Sequence, residues 1–182
     1  MFQIRPARIA DAPALLAIYT PYVEETAVSL ELTPPTLPEF SSRMEKLIGT
    51  YPYLVLEEGG EILGYAYAGR FHQRAAYDLS AEATIYLRRD VRGKGYGKAL
   101  YTALEEELKA RNVQNLYACI AYADPEDGHL QNDSYRFHNA MGYHEVGRFH
   151  RCAYKFSRWF DMVWMGKDLG KHEERPKEFK GF

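Results

Sequence analysis

The stretch Arg92-Gly93-Lys94-Gly95-Tyr96-Gly97-Lys98 stands between a β-branched and aromatic run, Ala83 to Leu87, and a strongly helical segment, Lys98 to Arg111. Three alternating glycines let a backbone approach an anion with no side chain in the way. The N–H groups that open the following helix have no intrahelical partners and point at whatever lies before it. With Arg92, Lys94 and Lys98 added, the loop is cationic as well as open and reads as a pyrophosphate cradle. Two nucleotide motifs fail here. A P-loop needs Gly-x-x-x-x-Gly-Lys followed by Ser or Thr, but Lys98 is followed by Ala99 and Gly93 is one residue too close to Gly97. A dinucleotide fingerprint counted from Gly93 would need a third glycine where Lys98 stands.

At 182 residues the chain suits one domain with room for a real core. The formal net charge of -2 and a pI near 6.3 give no global pull toward nucleic acid or an anionic membrane, so the cationic loop is a local feature. Cys119 and Cys152 are too few for a disulfide framework and lack metal-ligand spacing to the histidines. Both are expected to be reduced, partly buried apolar residues, and no metal is expected. No run approaches the roughly 18 apolar residues of a membrane span, and Met1-Phe2-Gln3-Ile4-Arg5 opens on strand-like alternation in place of a signal peptide. A cytoplasmic protein is the expectation.

Along the chain, Phe2 to Arg5 reads as a strand and Ala10 to about Glu25 as a helix with Leu15, Ile18, Tyr19 and Tyr22 on one face. Thr36-Leu37-Pro38-Glu39 is a capping box opening a second helix to about Ile48. Tyr53 to Glu58, the turn Gly59-Gly60, and Glu61 to Ala68 form a hairpin. A polar, aromatic loop, Arg70 to Leu79, precedes a strand from Ala81 to Arg88. After the glycine loop and its helix come a strand from Asn115 to Ala121, a loop rich in Asp, Gly and Pro, a short helix from Ser134 to Met141, and strands near Tyr143 to Arg151 and Phe156 to Gly166. The tail from Lys167, with five basic and four acidic residues in sixteen, reads as a solvated extension. The order β-α-α-β-β-β-α-β-α-β-β defines an α+β (mixed α/β) chain.

That order, with Arg92, Gly95 and Gly97 spaced Arg-x-x-Gly-x-Gly after the fourth strand, resembles the GNAT acetyltransferases and their coenzyme A loop. The resemblance covers residues 1 to 166 as one domain, with 167 to 182 as a charged tail. It implies a single central mixed sheet of about seven strands flanked by helices. Within that superfamily the chain is similar to the phosphinothricin and methionine sulfoximine N-acetyltransferases. The likeness is carried by Ile4-Arg5-Pro6-Ala7, Tyr51-Pro52-Tyr53-Leu54-Val55, Gly64-Tyr65-Ala66-Tyr67-Ala68-Gly69, Arg74-Ala75-Ala76-Tyr77-Asp78, Ala81-Glu82-Ala83-Thr84-Ile85-Tyr86-Leu87 and His138-Asn139-Ala140-Met141-Gly142-Tyr143. Two segments depart from it: the loop Ala123 to Gln131 is longer, and Leu30 stands where those enzymes tend to place a phenylalanine near substrate.

What the resemblance implies is an enzyme that transfers acetyl from acetyl-CoA to a small-molecule amine, an amino acid or analogue, and that works as a homodimer with Phe156-Ser157-Arg158-Trp159-Phe160 in its interface. The cofactor would lie on Arg92, Gly93, Lys94, Gly95, Tyr96, Gly97 and Lys98, with its pantetheine arm along the backbone of Ile85, Tyr86 and Leu87 and against Asn132 and Ser134. An N-H at Leu87 would meet the thioester carbonyl. Asn132 and Ser134 are equally good helix caps. Glu82 falls at the general-base position, and desolvation beside aromatics would raise its pKa toward the useful range. His138 coincides with a histidine of the phosphinothricin enzymes and could relay the proton, or serve as a structural histidine. Arg74 and Tyr77 would meet the acidic end of the substrate. Two other readings stand beside this one: acetylation of a protein N-terminus or polyamine, and a non-catalytic acyl-CoA-binding sensor.

Overall fold

The computed structural model describes residues 1–181 of the chain. Seven strands form one sheet: β1 (Phe2–Pro6), β2 (Tyr53–Glu58), β3 (Glu61–Arg70), β4 (Ser80–Leu87), β5 (Asn115–Tyr122), β6 (His144–Lys155) and β7 (Arg158–Asp168), in the order β1-β2-β3-β4-β5-β7-β6. Four helices, α1 (Ala12–Glu25), α2 (Leu37–Glu45), α3 (Tyr96–Ala110) and α4 (Asp133–Ala140), complete the mixed α/β architecture. Each expected strand and helix is present, with bounds moved by a few residues. The largest changes are at β6, which runs four residues past Arg151 to Lys155, and at α2, which ends at Glu45, three residues before Ile48; α1 is preceded by a short 3-10 turn from Ile9 to Asp11, and α3 starts two residues before Lys98. The last strand likewise begins at Arg158, because Phe156 and Ser157 take the positive φ of a tight turn. Among the described residues no helix is long and apolar enough to cross a membrane.

The chain divides into two compact units. The first comprises Met1–Ile18, Pro35–Leu116 and Asp168–Phe182. Here β1, β2, β3 and β4 pair antiparallel in sequence. Gly59 and Gly60 both adopt positive φ and close the β2–β3 turn as their dipeptide requires. Helix α2 opens on its capping box: Thr36 Oγ1 accepts from the Glu39 N–H, and the Glu39 carboxylate accepts from the Thr36 N–H at 2.7 Å. Its buried Phe40 meets Tyr65 edge-on, with ring centroids 6.4 Å apart. Tyr67, Tyr53, Tyr65 and Tyr86 continue from there as an aromatic ladder, with successive ring centroids 4.7, 6.0 and 5.7 Å apart. This ladder is the apolar surface on which the site is built.

The tail is solvent-exposed along most of its length, as its charges lead one to expect, but it is attached to this unit at a few points. Leu169 is buried and its N–H donates to the Gln114 carbonyl at 2.7 Å. Farther on, Asn112 Nδ2 donates to the Glu178 carbonyl at 2.6 Å, the Lys180 N–H donates to the Arg111 carbonyl at 3.0 Å, and Phe179 stacks on Tyr51. A charge-rich composition says nothing about backbone groups and two apolar side chains, and these make the attachment.

The second unit comprises Tyr19–Pro34 and Tyr117–Lys167. Its apolar cluster is Ala27, Ala121, Ala123, Leu130 and Phe160, with Val28, Leu30 and Phe156 packed against it. Lys155 is buried, and its ammonium donates to the carbonyls of Val23, Thr26 and Ser29 at 2.6, 2.9 and 2.8 Å. All three N–H bonds are thus satisfied, and the end of α1 gains a cation where its orphan carbonyls favour one. The loop Ala123 to Gln131 is braced by Asp127: its Oδ1 accepts from the N–H groups of His129 and Leu130, and its other oxygen pairs with Arg158 of β7 at 2.5 Å. Cys119 and Cys152 are exposed thiols, not partly buried ones. Cys119 takes an outward position in the alternation of β5, and Cys152 lies in the irregular stretch between Phe149 and Ala153 of the edge strand β6, which is exposed almost throughout.

Candidate active site

Strand β4 carries Glu82. Side chains alternate along a strand, so Glu82, Thr84 and Tyr86 share one face. The register sets Gly69 opposite Glu82 and Tyr67 opposite Thr84. Because Gly69 has no side chain, the space beside the carboxylate stays open; a Cβ there would come within 3.4 Å of Leu47. The result is a cavity of about 510 Å³ lined by Lys46, Leu47, Tyr67, Gly69, Arg70, Gln73, Glu82 and Thr84. Glu82 is half-buried, and desolvation raises its pKa above the usual 4.5. A carboxylate held in that way takes up a proton more readily than an exposed one.

From the loop after β3, the residues in this wall are Arg70 and Gln73. Arg70 Nη1 donates to the Gln73 carbonyl at 3.1 Å, and Nη2 lies 2.9 Å from Asp78 Oδ1 as an ion pair whose angle falls short of a hydrogen bond at that oxygen. Arg74 and Tyr77 lie outside that lining. Arg74 is exposed at the start of a 3-10 turn, and Tyr77 packs against Phe71 and His72 of its own loop. Sequence reasoning missed Lys46, Tyr67, Arg70, Gln73 and Thr84. Alternation would have found Thr84 from Glu82, but the others depend on strand register and loop path.

Where β4 ends, Gly64 makes room for it. A Cβ on Gly64 would stand 2.2 Å from Leu87 Cδ2 and 2.9 Å from the Tyr86 carbonyl, so a larger residue opposite Leu87 would make that side chain and the β4 backbone shift. Ile85, Tyr86 and Leu87 are half-buried. A 3-10 turn from Arg89 to Val91 then leads into the glycine loop. Gly93 and Gly95 both take φ near +80°, with nothing within 4 Å of where a Cβ would be. Gly95 is the N-cap of α3 and offers no side-chain cap, so the first N–H groups of the helix are left for a ligand. Arg92, Lys94 and Lys98 are exposed around them. Tyr96 and Gly97 are buried. The Tyr96 hydroxyl donates to Glu58 at 2.6 Å and its ring meets Phe2 edge-on, so its side chain anchors the helix start to the sheet.

The remaining candidates belong to the second unit. Asn132 is the N-cap residue of α4 by position, yet its side chain caps nothing. Its Oδ1 accepts from the Ala123 N–H at 3.0 Å and its Nδ2 donates to the Ala123 carbonyl at 2.9 Å, which clamps the chain just beyond β5. Ser134 is on the first turn of α4. Its carbonyl accepts from His138 Nδ1 at 2.7 Å, which leaves Nε2 as the basic nitrogen of the neutral ring. His138 is 3% exposed, its ring meets Tyr143 edge-on, and burial lowers its pKa to about 4. The imidazole is neutral throughout the physiological range. Among the described residues no cluster of His, Cys, Asp and Glu could hold a metal ion.

The acetyltransferase (GNAT) domain family matches residues 4–164. A phosphinothricin N-acetyltransferase of Streptomyces viridochromogenes is 35% identical over 168 residues, 92% of this chain and 87% of that protein. An L-methionine sulfoximine/L-methionine sulfone acetyltransferase of Pseudomonas aeruginosa is 33% identical over 178 residues, 95% of this chain and 98% of its own length. The crystal structure of a phosphinothricin acetyltransferase from Sinorhizobium meliloti in complex with acetyl-CoA superposes with a TM-score of 0.87 at 33% identity, covering 97% of this chain and 94% of that one. The chain belongs to the GNAT acetyltransferase family. It is an acetyltransferase, and its acetyl donor is acetyl-CoA. The sensor reading is thereby set aside.

The residues present fit that donor. Two glycines in the left-handed region with open space above them, an uncapped helix start and three exposed cations form a cradle for a pyrophosphate.

Proposed function

We propose that the chain acetylates the α-amine of a small amino acid or amino-acid analogue, with Glu82 as general base. The observation that carries this reading is the desolvated Glu82 carboxylate, standing in a cavity with the cations Lys46 and Arg70 in its walls. When bound, acetyl-CoA supplies an acetyl group activated as a thioester. Its pyrophosphate is held by the backbone from Gly93 to Gly97, the opening N–H groups of α3, and Arg92, Lys94 and Lys98. Backbone groups of Ile85, Tyr86 and Leu87 line the path of its arm. Glu82 takes the ammonium proton of the acceptor and frees the amine lone pair. His138, whose pKa burial lowers to about 4, is a poor base for that step and is read as a structural residue of the second unit.

Lys46 in the wall, with whatever Asp78 leaves of the Arg70 charge, favours an acceptor with an acidic or polar end over a polyamine. Arg74 and Tyr77, on the loop beside the cavity, meet that end in this reading. Charge-assisted contacts are worth roughly 1.5 to 3 kcal/mol; with solvent screening at an exposed arginine, Arg74→Ala is expected to raise the Michaelis constant for the acceptor about tenfold. Initial rates with methionine sulfoximine and phosphinothricin should exceed those with spermidine or a peptide amine, and the variant should lose most of that preference. Faster turnover of spermidine or the peptide would leave the fold and donor standing and overturn the acceptor.

The same reading includes a homodimer in the cytoplasm. Val146, Phe149, Tyr154 and Trp159 are exposed on β6 and β7, and Tyr154 and Trp159 face each other across the hairpin with rings 5.1 Å apart. Exposed apolar side chains gathered on an edge hairpin suit an interface. Of the expected interface segment, Phe160 belongs to the core cluster, Phe156 is partly buried against it, and Trp159 is the exposed aromatic. Light scattering should give about twice the 21.0 kDa chain mass; a single monomeric species at micromolar concentration would remove the dimer.

A further inference from the structure

We propose that the carboxyl-terminal segment serves the acceptor site, with Phe179 and Tyr51 as positioning residues that hold the Arg70 guanidinium in the wall of the Glu82 cavity. The proposal rests on the reading of that cavity as the acceptor site. It starts from the attachment of the tail. Ordering a charged segment costs conformational entropy for every residue fixed, yet this one is fastened near both ends, at Leu169 and at Lys180. Between them His172 Nε2 lies 2.7 Å from Asn115 Oδ1. Phe179 is half-buried while its neighbours on both sides are exposed. Its ring stacks on Tyr51 with centroids 5.3 Å apart and planes 24° from parallel.

Tyr51 is the middle of the relay. It is 4% exposed, and the Arg70 guanidinium acts on its hydroxyl, which opposes the effect of burial on the phenol. A tyrosine ring covered by a stacked phenylalanine presents its hydroxyl at a fixed point, because rotation of the ring would break the stack. Arg70 is then held from three sides: by Tyr51, by the Gln73 carbonyl at 3.1 Å and by Asp78 at 2.9 Å. A planar guanidinium restrained in that way acts as a rigid piece of wall, and Gln73, whose carbonyl it fixes, lines the same cavity. Since Asp78 already balances much of its charge, Arg70 shapes the wall more than it pairs with the acceptor. The groups Phe179, Tyr51, Arg70 and Gln73 all lie within the first unit.

The test uses the full chain and two variants that cut the relay at different points. Phe179→Ala removes the stack, and Tyr51→Phe keeps the stack but removes the hydroxyl. Loosening one hydrogen bond to a charged group corresponds to about a tenfold effect. Both variants are therefore expected to raise the acceptor Michaelis constant by that order while the constant for acetyl-CoA holds, and Phe179→Tyr should recover the parent value. The Arg70 Nε–H resonance in a proton–nitrogen correlation spectrum should move in both. Equal losses in both Michaelis constants, turnover and melting temperature, with no recovery in Phe179→Tyr, would make the tail a general stabiliser and overturn the proposal. An unmoved Arg70 resonance in folded Phe179→Ala would overturn it whatever the acceptor. A parent enzyme inert toward amino acids but active on other amines would instead overturn the acceptor reading, and the resonance would still decide the link.

Discussion

Glu82→Gln is expected to lower turnover at neutral pH by about 10²- to 10⁴-fold, the contribution of a positioned general base, while acetyl-CoA binds as before. The amide keeps the size of the carboxyl and fills the same place beside Tyr67 and Thr84, so the cavity survives and the proton acceptor is lost. The defect should shrink as pH rises and the acceptor amine deprotonates unaided. A second consequence is thermodynamic. Desolvation raises the folded-state pKa of Glu82 above 4.5. Below that ordinary value the group is protonated in folded and unfolded chains alike. As pH rises through the folded value the unfolded chain ionises more readily, and stability is lost. Glu82→Gln should therefore melt higher than the parent at pH 8 and gain less, or nothing, at pH 4. Full turnover at neutral pH in the glutamine variant would return Glu82 to a structural role, and an equal melting difference at both pH values would deny the desolvation.

How much of this could be read from the sequence depended on how local each device is. The Thr36 and Glu39 capping box, the Gly59-Gly60 turn and the loop around Gly93 and Gly95 are each complete within a few residues, and each is present in the fold. Glu82 was legible for a related reason: a carboxylate flanked by alanines on a strand is either at a solvent face or in a cleft, and family resemblance chose between them. The partners of Glu82 were not legible. Gly69 stands opposite it only through the β3–β4 register. Lys46 and Arg70 reach the same cavity from elements whose path no residue pattern states.

The same distinction explains the tail. Its charges are visible in the letters, whereas its attachment uses the backbone at Leu169, Glu178 and Lys180 and the face of one phenylalanine. Asn132 is similar: the residue type suggested a cap or a ligand contact, and its amide is engaged with the backbone of Ala123, nine positions back. Lys155 gave no signal at all. A lysine near a strand end reads as solvated, and only the fold brings three carbonyls from the far side of the sequence to its ammonium.

Gly95→Asp carries the other large expected effect, on donor affinity. Position 95 has φ +81° and ψ 0° and caps α3. Most side chains would be strained there by about 1 to 2 kcal/mol. Aspartate tolerates that region better than most residues and is among the strongest N-caps, so the fold should persist. Its carboxylate would accept the helix N–H groups that a pyrophosphate needs and would set a negative charge against the incoming anion. Losing two charge-assisted hydrogen bonds at roughly 1.5 to 3 kcal/mol each corresponds to a rise in the acetyl-CoA dissociation constant on the order of 10²- to 10⁴-fold. Gly95→Asn separates the causes, because it caps the helix and tolerates the backbone equally well but carries no charge; its loss should be smaller. Titration calorimetry on folded variants measures both. An aspartate variant that binds acetyl-CoA within about threefold of the parent, a difference under 1 kcal/mol, would show that the pyrophosphate is held elsewhere, with Arg92, Lys94 and Lys98 reduced to exposed charges on an ordinary strand-to-helix turn.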